Sequence, residues 1–191
     1  FPDNAVHYFV SYYDYYQPEA YIPSSNTYIA KDSQINDHID QLRHASTSAL
    51  FNRKDVIIVS SVSCIYGIGS PKDYFNMTIE LCSKDLLERE TLLEELIKIQ
   101  YTRSRFELTR GTFRAIGNNV DIIPSNFEDK AVKVKFQDDK ILAIYEIDPL
   151  SGEIIEEIDN IIIFPSTHYV VEKMTTEKAI KSIEAELKKQ V

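Results

Sequence analysis

The chain has 191 residues, which is long enough for one domain or two small ones with a substantial hydrophobic core. Its composition, 43% hydrophobic and 27% charged, is typical of a globular protein. No apolar run approaches the roughly 18 residues that a membrane helix requires, so we expect no membrane partner. The formal net charge of −9 excludes indiscriminate nucleic-acid binding, because Lys and Arg supply most of the non-specific affinity for phosphate groups.

The first part of the chain predicts an irregular hairpin followed by a piece of an α/β core. Residues 8–16 and 21–30 are rich in aromatic and β-branched side chains, and turn-forming residues separate them. A helix is predicted over about residues 32–53. Its predicted buried stripe consists of Ile35, Ile39, Leu42, Ala45, Ala49 and Leu50. The continuous apolar run of residues 55–66 is typical of a parallel strand covered on both faces.

The rest of the sequence predicts a small α+β domain. Residues 84–103 have an amphipathic helical pattern. Its predicted inward residues are Leu86, Leu93, Leu96 and Ile97. Six strands follow, joined by short turn signals, and they predict an antiparallel sheet packed on this helix. They are expected at residues 111–116, 120–125, 131–137, 140–148, 152–158 and 161–166. A second amphipathic helix is predicted over residues 175–191, capped by Thr175 or Thr176.

The predicted hairpin concentrates tyrosines. They are Tyr12, Tyr13, Tyr15, Tyr16, Tyr21 and Tyr28. A core strand is one interpretation, but successive residues of a strand face opposite sides, so one pair of rings stays exposed unless both faces are covered. Exposed rings can stack on unpaired bases, at roughly 1–3 kcal/mol per base, or separate two strands as a wedge. Both uses suit a segment with no Lys or Arg before Lys31.

Several segments carry a resemblance to a known family. YFVSYYDYYQPEAYIPSSNTYIAKD, residues 8–32, resembles the β-hairpin of UvrB, the damage-verifying subunit of the bacterial UvrABC nucleotide-excision repair system. Other segments resemble the same family in order and spacing: QLRHASTSALFNRKDVIIVSSVSCIYGIGSP, QYTR, RGTFRAIGNNVDIIP, DPLSGEI and FPSTHYV. The resemblance covers nearly the whole chain. It implies a helicase-like protein whose hairpin threads between the DNA strands and tests bases by stacking.

The resemblance implies a fold class of α/β and α+β. We expect a partial P-loop helicase-like core with a protruding tyrosine-rich hairpin, plus a small antiparallel-sheet interaction domain. Residues 1–76 are predicted to hold the hairpin, at about 8–30, and part of the core. Residues 77–170 are predicted to be the UvrA-interaction domain, and residues 171–191 a helix that returns to the core. Because the sequence has no initial Met and ends within a predicted helix, we expect it to be an excerpt of a longer cytoplasmic protein.

The resemblance also implies two sets of binding residues. The six hairpin tyrosines, Tyr12, Tyr13, Tyr15, Tyr16, Tyr21 and Tyr28, are expected to contact damaged DNA. Arg103, Arg114, Lys133 and Lys135 are expected to contact UvrA. The alternation in AVKVKFQ independently predicts that Val132, Val134 and Phe136 face inward and Lys133 and Lys135 outward. Two positions depart from the family pattern. Ile116 stands where an Arg is expected, and Lys135 stands where an acidic residue is usual, so docking is expected to be altered.

No catalytic, cofactor-binding or metal-binding residue is assigned in this chain. GIGSPK lacks the G-x-x-x-x-G-K-[ST] pattern of a phosphate loop. The resemblance therefore places ATP and Mg²⁺, the helicase-like activity of the excinuclease and contact with UvrC in the full-length protein. Cys64 and Cys82 have no CxxC spacing and are predicted to be free, buried thiols in a reducing cytoplasm.

Two rival functions stay open at this point. The UvrB-like module of the transcription-repair coupling factor shares the docking domain and would make this a protein-interaction module, although that module is expected to lack the tyrosine hairpin. A self-contained nuclease or hydrolase would need an activated nucleophile or a carboxylate cluster that the sequence does not show.

Overall fold

Tertiary contacts divide the chain into two units, Phe1–Tyr66 and Gly67–Val191. The structure is a computed structural model, and the residues that it describes are 1–11, 13–17, 20–29, 32–65, 69–170 and 173–190. Over these residues the chain is mixed α/β with several small sheets, which confirms the coarse fold class. The helicase-like core, the protruding hairpin and the three-part division at residues 76 and 170 stay predictions. No helix within the described ranges combines the length and apolar character that a membrane crossing requires.

The first unit contains six strands, one α-helix and one 3-10 helix in its described part. They are β1 (Ala5–Phe9), β2 (Tyr13–Gln17), β3 (Ala20–Ile22), β4 (Thr27–Ile29), β5 (Asp32–Ile35), α1 (Asp37–Asn52), β6 (Val56–Ser60) and the 3-10 helix Val62–Ile65. β1 and β6 pair in parallel, as the apolar run predicts. β2 pairs with β5 and β3 with β4, both antiparallel.

Helix α1 packs on β1 through polar side chains. Arg43 is buried, with its guanidinium 4.0 Å from the centre of the Phe9 ring, and its Nη1 donates a 2.6 Å hydrogen bond to the Val10 carbonyl. Ser46 Oγ donates to the Tyr8 carbonyl at 2.7 Å. The helix therefore satisfies carbonyl groups along β1 while it covers Phe9.

Three expectations for the first unit are wrong, and so is the predicted burial of the two cysteines. The helix begins later than predicted, because the Asn36 side chain caps it by accepting from the Ile39 N–H, while Asp32–Ile35 is a strand. Leu50, predicted to be buried, is exposed. Strand β6 is half-buried to exposed, so the described chain does not cover both of its faces. Cys64 is exposed and Cys82 half-buried, although both thiols are free.

The second unit is larger and holds most of the described β-structure. Its elements are α2 (Pro71–Asn76), β7 (Ile79–Cys82), α3 (Arg89–Lys98), β8 (Thr102–Arg103), β9 (Thr112–Ile116), β10 (Asn119–Ile123), β11 (Ala131–Gln137), β12 (Lys140–Ile147), β13 (Ile154–Ile158), β14 (Asn160–Ile163) and α4 (Lys173–Gln190). Strands β8 to β13 form one sheet in the order β13-β12-β11-β10-β9-β8. The pairs from β9 to β13 are antiparallel, which confirms the predicted meander.

The core of this unit lies between the sheet and α3. Leu92, Leu93 and Leu96 of the helix pack against one face of the sheet. That face presents Phe113, Val120, Ile122, Val132, Val134, Phe136 and Ile144, all buried. Burying a large apolar side chain contributes roughly 1.5–3 kcal/mol, so the packing of α3 on the sheet stabilises the unit. The predicted inward positions Val132, Val134 and Phe136 are confirmed.

The bounds of α3 differ from the prediction for backbone reasons. Lys84 has φ +75°, and its N–H donates to the Ile141 carbonyl, so residues near 84 pair with the sheet and not with a helix. Gln100, at φ +72°, ends the helix in a left-handed turn. Leu86 therefore lies outside the helix and is 86% exposed. Ile97 lies within α3 but on its exposed side, at 56%, so both predictions of burial are wrong.

The last two elements also depart from the expected arrangement. β14 does not join the main sheet: it pairs antiparallel with β7, a strand that the sequence did not predict. α4 begins at Lys173, so Thr175 and Thr176 lie within the helix and do not cap it. The predicted stripe of Ile180, Ile183 and Leu187 is exposed in the described chain.

Candidate functional sites

The paired strands β3 and β4 carry two tyrosines side by side. Tyr21 and Tyr28 are direct cross-strand partners, so their side chains emerge next to each other from the same face. They are 57% and 61% exposed. The Tyr21 hydroxyl donates a 2.8 Å hydrogen bond to Asn26 Oδ1 in the turn, where Asn26 adopts φ +52°. This contact orients the Tyr21 ring and leaves its face accessible.

The other predicted DNA-binding tyrosines are described less completely. Tyr12 lies outside the described residues. Tyr13, Tyr15 and Tyr16 belong to β2, and their side chains lie outside what the structure describes. Tyr13 and Tyr15 are in register with Ile35 and Ser33, and the register shifts between Tyr15 and Gln17, which places Tyr16 at an irregularity of the ladder. Their role in DNA binding stays a prediction.

The second candidate site is a charged row on β9, β10 and β11. Arg114, Asp121 and Lys133 are cross-strand partners. Arg114 Nη2 donates to Asp121 Oδ2 at 2.9 Å, and Lys133 Nζ lies 3.8 Å from Asp121 Oδ1. Asp121 is only 6% exposed, so its carboxylate holds both cations against the sheet. Two residues further along each strand, Ile116 and Lys135 both pair with Asn119.

A cleft of about 330 Å³ opens at the β8 edge of the sheet. It is lined by Arg103, Ser104, Arg105, Arg114, Ala115 and Ile116. The structure therefore brings Arg103 and Arg114 to one cleft, beside the row that contains Lys133. Lys135 is exposed two residues further along β11. The four predicted partner-binding residues lie on β8, β9 and β11 of one sheet, with β10 between β9 and β11, although no contact with a partner tests their role.

Sequence reasoning missed two residues of this surface, Asp121 and Arg105. Asp121 had a signal: the turn at Gly117 and Asn118 sets a register that places it opposite Arg114. The presence of Asp121 in the largely apolar strand β10 is explained by the cations that lie opposite it. Arg105 had no such signal, because it belongs to an irregular loop whose path follows from tertiary contacts.

The segment after the first unit does not fit a nucleotide phosphate. At the N-terminus of α2, Pro71 has no N–H, and the Asp73 N–H donates to Ser70 Oγ at 3.2 Å. Asp73 also adds a negative charge to the first turn, where an anion would need positive potential. The described residues at this helix therefore form no phosphate cradle, and we derive no ATP chemistry from them.

The fold and both candidate sites define a mixed α/β chain with two candidate binding surfaces. Residues 79–169 match the sequence model of a protein family, the UvrB interaction domain. Over all 191 residues the chain is 51% identical to UvrABC system protein B of Carboxydothermus hydrogenoformans and 52% identical to that of Bacillus subtilis. It spans 29% of the length of each relative. Over all of its residues the chain is therefore similar to a stretch of proteins of the UvrB family.

Proposed function

We propose that this chain acts in nucleotide-excision repair as part of a cytoplasmic UvrB protein. Its hairpin inserts between DNA strands and stacks tyrosines on bases, and its second unit docks on UvrA. In the complete protein we propose ATP and Mg²⁺ as cofactors and UvrC as a further partner. The similarity of the whole chain to proteins named UvrABC system protein B supports this function over the rival coupling factor.

The observation that carries the DNA-binding role is the exposure of Tyr21 and Tyr28. Tyr74 and Tyr101 of the same chain are both 3% exposed, as core tyrosines are. The hairpin pair retains more than half of its surface and presents two rings to one side, which supports a stacking platform. The first 30 residues contain no Lys or Arg, so this platform acts by stacking and not by attracting phosphates.

The proposed docking role rests on the second unit. The match over residues 79–169 to an interaction domain supports a protein partner at this part of the chain. The cations of β8, β9 and β11 suit an acidic surface, since complementary charges steer association and fix the orientation of partners. The proposed partner for this surface is UvrA.

Alanine substitution at the hairpin tests the DNA-binding role. In the complete protein, Tyr21→Ala and Tyr28→Ala should each weaken retention of lesion-containing DNA. Loss of one stacked base is worth roughly 1–3 kcal/mol, or about 5-fold to 150-fold in affinity. Phe substitutions should have milder effects, because stacking uses the ring face. Tyr13→Ala, Tyr15→Ala and Tyr16→Ala should behave in the same way.

Tyr169→Ala is the matched control, because Tyr169 is also exposed, at 60%, but lies outside the hairpin. It should leave DNA retention unchanged. Melting temperatures of all variants separate stacking from folding. If the hairpin variants lose stability but retain DNA as well as the parent protein, the tyrosines are structural and the proposed DNA contact is wrong.

A further inference from the structure

The loop between β8 and β9 is anchored on both sides of Arg105. The Ser104 N–H donates to the Phe113 carbonyl at 2.9 Å, and Ser104 Oγ donates to the Glu107 carbonyl at 2.5 Å. On the other side, the Phe106 carbonyl accepts a 3.3 Å hydrogen bond from Arg114 Nη1. The backbone at Arg105 is therefore held next to Arg114. Because the loop is already ordered, partner binding loses little further conformational entropy there.

The cations of the cleft are not equivalent. Arg114 is engaged by Asp121 and by the Phe106 carbonyl, so its charge is largely compensated within the fold. Within the described part of the chain, Arg103 and Arg105 have no ion pair and no side-chain hydrogen bond, and both are exposed. The cleft therefore offers two uncompensated guanidinium groups beside one that positions the loop.

Apolar side chains flank these guanidinium groups. Phe106, next to Arg105 in the loop, is 88% exposed, and Ile116, which lines the cleft, is 60% exposed. Exposed aromatic side chains and arginines are the residue types most enriched at the energetic centres of protein interfaces. A ligand that consists of charge alone would leave both apolar groups in water, whereas a protein segment could cover them.

We propose that Arg105 determines the specificity of the docking surface. Together with Arg103 it binds a carboxylate of the partner, and Phe106 and Ile116 contact an apolar side chain beside that carboxylate. The planar guanidinium suits a bidentate contact with a carboxylate, which a Lys ammonium does not reproduce. This inference rests on the proposed function, since the partner is taken to be UvrA, but it assigns a residue that the resemblance did not indicate.

Charge reversal at Arg105 tests the inference in the complete protein, with UvrA from the same organism. Arg105→Glu should weaken UvrA binding roughly tenfold or more, which is about 1.4 kcal/mol or more. Arg105→Lys should reduce the UvrA affinity less than Arg105→Glu does, because Lys keeps the positive charge but cannot make the bidentate contact. The difference in UvrA affinity between the parent and Arg105→Glu should become smaller as the salt concentration rises from 50 to 300 mM, since salt screens exposed charges. Isothermal titration calorimetry measures each affinity.

Arg89→Glu is the matched control, because it makes the same charge change on α3, which packs on the opposite, apolar face of the sheet. It should bind UvrA as the parent does. If Arg105→Glu binds like the parent while Arg103→Glu does not, the inference is overturned and the proposed docking survives. An equal loss with Arg89→Glu would also overturn it, as a general charge effect. A parent protein that does not bind UvrA would overturn both.

Discussion

The Tyr101 hydroxyl joins three segments of the second unit, and removing it is a sharp test of how that unit is held together. The hydroxyl donates to the Phe164 carbonyl and accepts from the Ser125 N–H, both at 3.0 Å. Ser125 Oγ donates in turn to the Pro165 carbonyl at 2.9 Å. The end of β14, the end of β10 and the chain after α3 therefore meet at one buried oxygen. Tyr101→Phe removes that oxygen and keeps the ring.

The expected cost follows from the two partners that the substitution leaves behind. The Ser125 N–H and the Phe164 carbonyl lie in the interior, with both residues fully buried. An unsatisfied buried polar group costs about 1–3 kcal/mol. We therefore expect the free energy of unfolding to fall by about 2–4 kcal/mol, because local structural relaxation offsets part of the combined cost of the two groups. For a unit that spans residues 67–191, the melting temperature falls by roughly 4 °C for each kcal/mol.

The same hydroxyl gives a pH signature. Burial, partly opposed by the hydrogen bond from Ser125, raises the pKa of Tyr101 to about 12 from an ordinary value of 10.0. At pH values below the ordinary pKa, Tyr101 is neutral in both the folded and the unfolded chain, and its contribution to stability is complete. Between the two values only the unfolded chain ionises, so stability falls by about 1.4 kcal/mol per pH unit. The Phe variant lacks this loss.

Thermal unfolding followed by circular dichroism, at several pH values from 7 to about 11.5, measures both effects. The parent chain should melt well above Tyr101→Phe at neutral pH, and the gap should narrow through the alkaline range. Tyr169→Phe, which removes an exposed hydroxyl, should melt like the parent at every pH. Equal melting temperatures at pH 7, or a gap that stays constant with pH, would refute the assignment of this hydroxyl as the buried junction.

Three further predictions follow from particular contacts. Asp121→Asn should weaken UvrA binding and lower the melting temperature, because the carboxylate that holds Arg114 and Lys133 is lost; calorimetry and thermal unfolding check it, and an unchanged affinity would contradict it. Leu96→Ala should cost about 2–5 kcal/mol in urea unfolding, whereas Ile97→Ala, on the exposed side of α3, should cost far less; equal losses would contradict the helix orientation. The 191-residue chain should neither bind ATP tightly nor hydrolyse it, so saturable nucleotide binding in calorimetry or phosphate release above a blank would contradict this expectation.

The meander of the second unit is predictable because its signals are local. Turn residues such as Gly117 and Gly152 adopt φ +56° and +75°, and alternating side chains fix which face of each strand is buried. Asp148 shows the same locality in the DPLSG turn, where hydrogen bonds from Ser151 and Leu150 hold the pKa of its carboxyl below the ordinary value. Local signals of this kind, which depend on residues close together in the chain, can be recognised in a single sequence.

The elements that sequence reasoning missed depend on contacts between distant residues. β7 is recognisable as a strand only through its pairing with β14, about 80 residues later in the chain. α1 buries Arg43 and Ser46, polar residues whose burial makes sense only once the carbonyl groups of β1 lie beside them. An apolar stripe cannot reveal such a helix face. The same limit hid Arg105, whose position depends on where the loop is tied to β9.

The distribution of charge gives the last prediction, which separates the two proposed binding modes. The hairpin end of the chain has no Lys or Arg before Lys31, and the whole chain carries a net charge of −9. Affinity for DNA that comes from phosphate contacts falls steeply with salt, roughly with one counterion released per contact. Stacking on bases releases few counterions, so weak DNA binding by this chain should change little between 50 and 200 mM salt. UvrA docking through Arg103 and Arg105 should weaken over the same range, because those cations are exposed and uncompensated. Parallel titrations of the two ligands measure both slopes. A steep salt dependence for DNA would mean that cations and not tyrosines hold it, and the stacking role proposed for the hairpin would then be wrong.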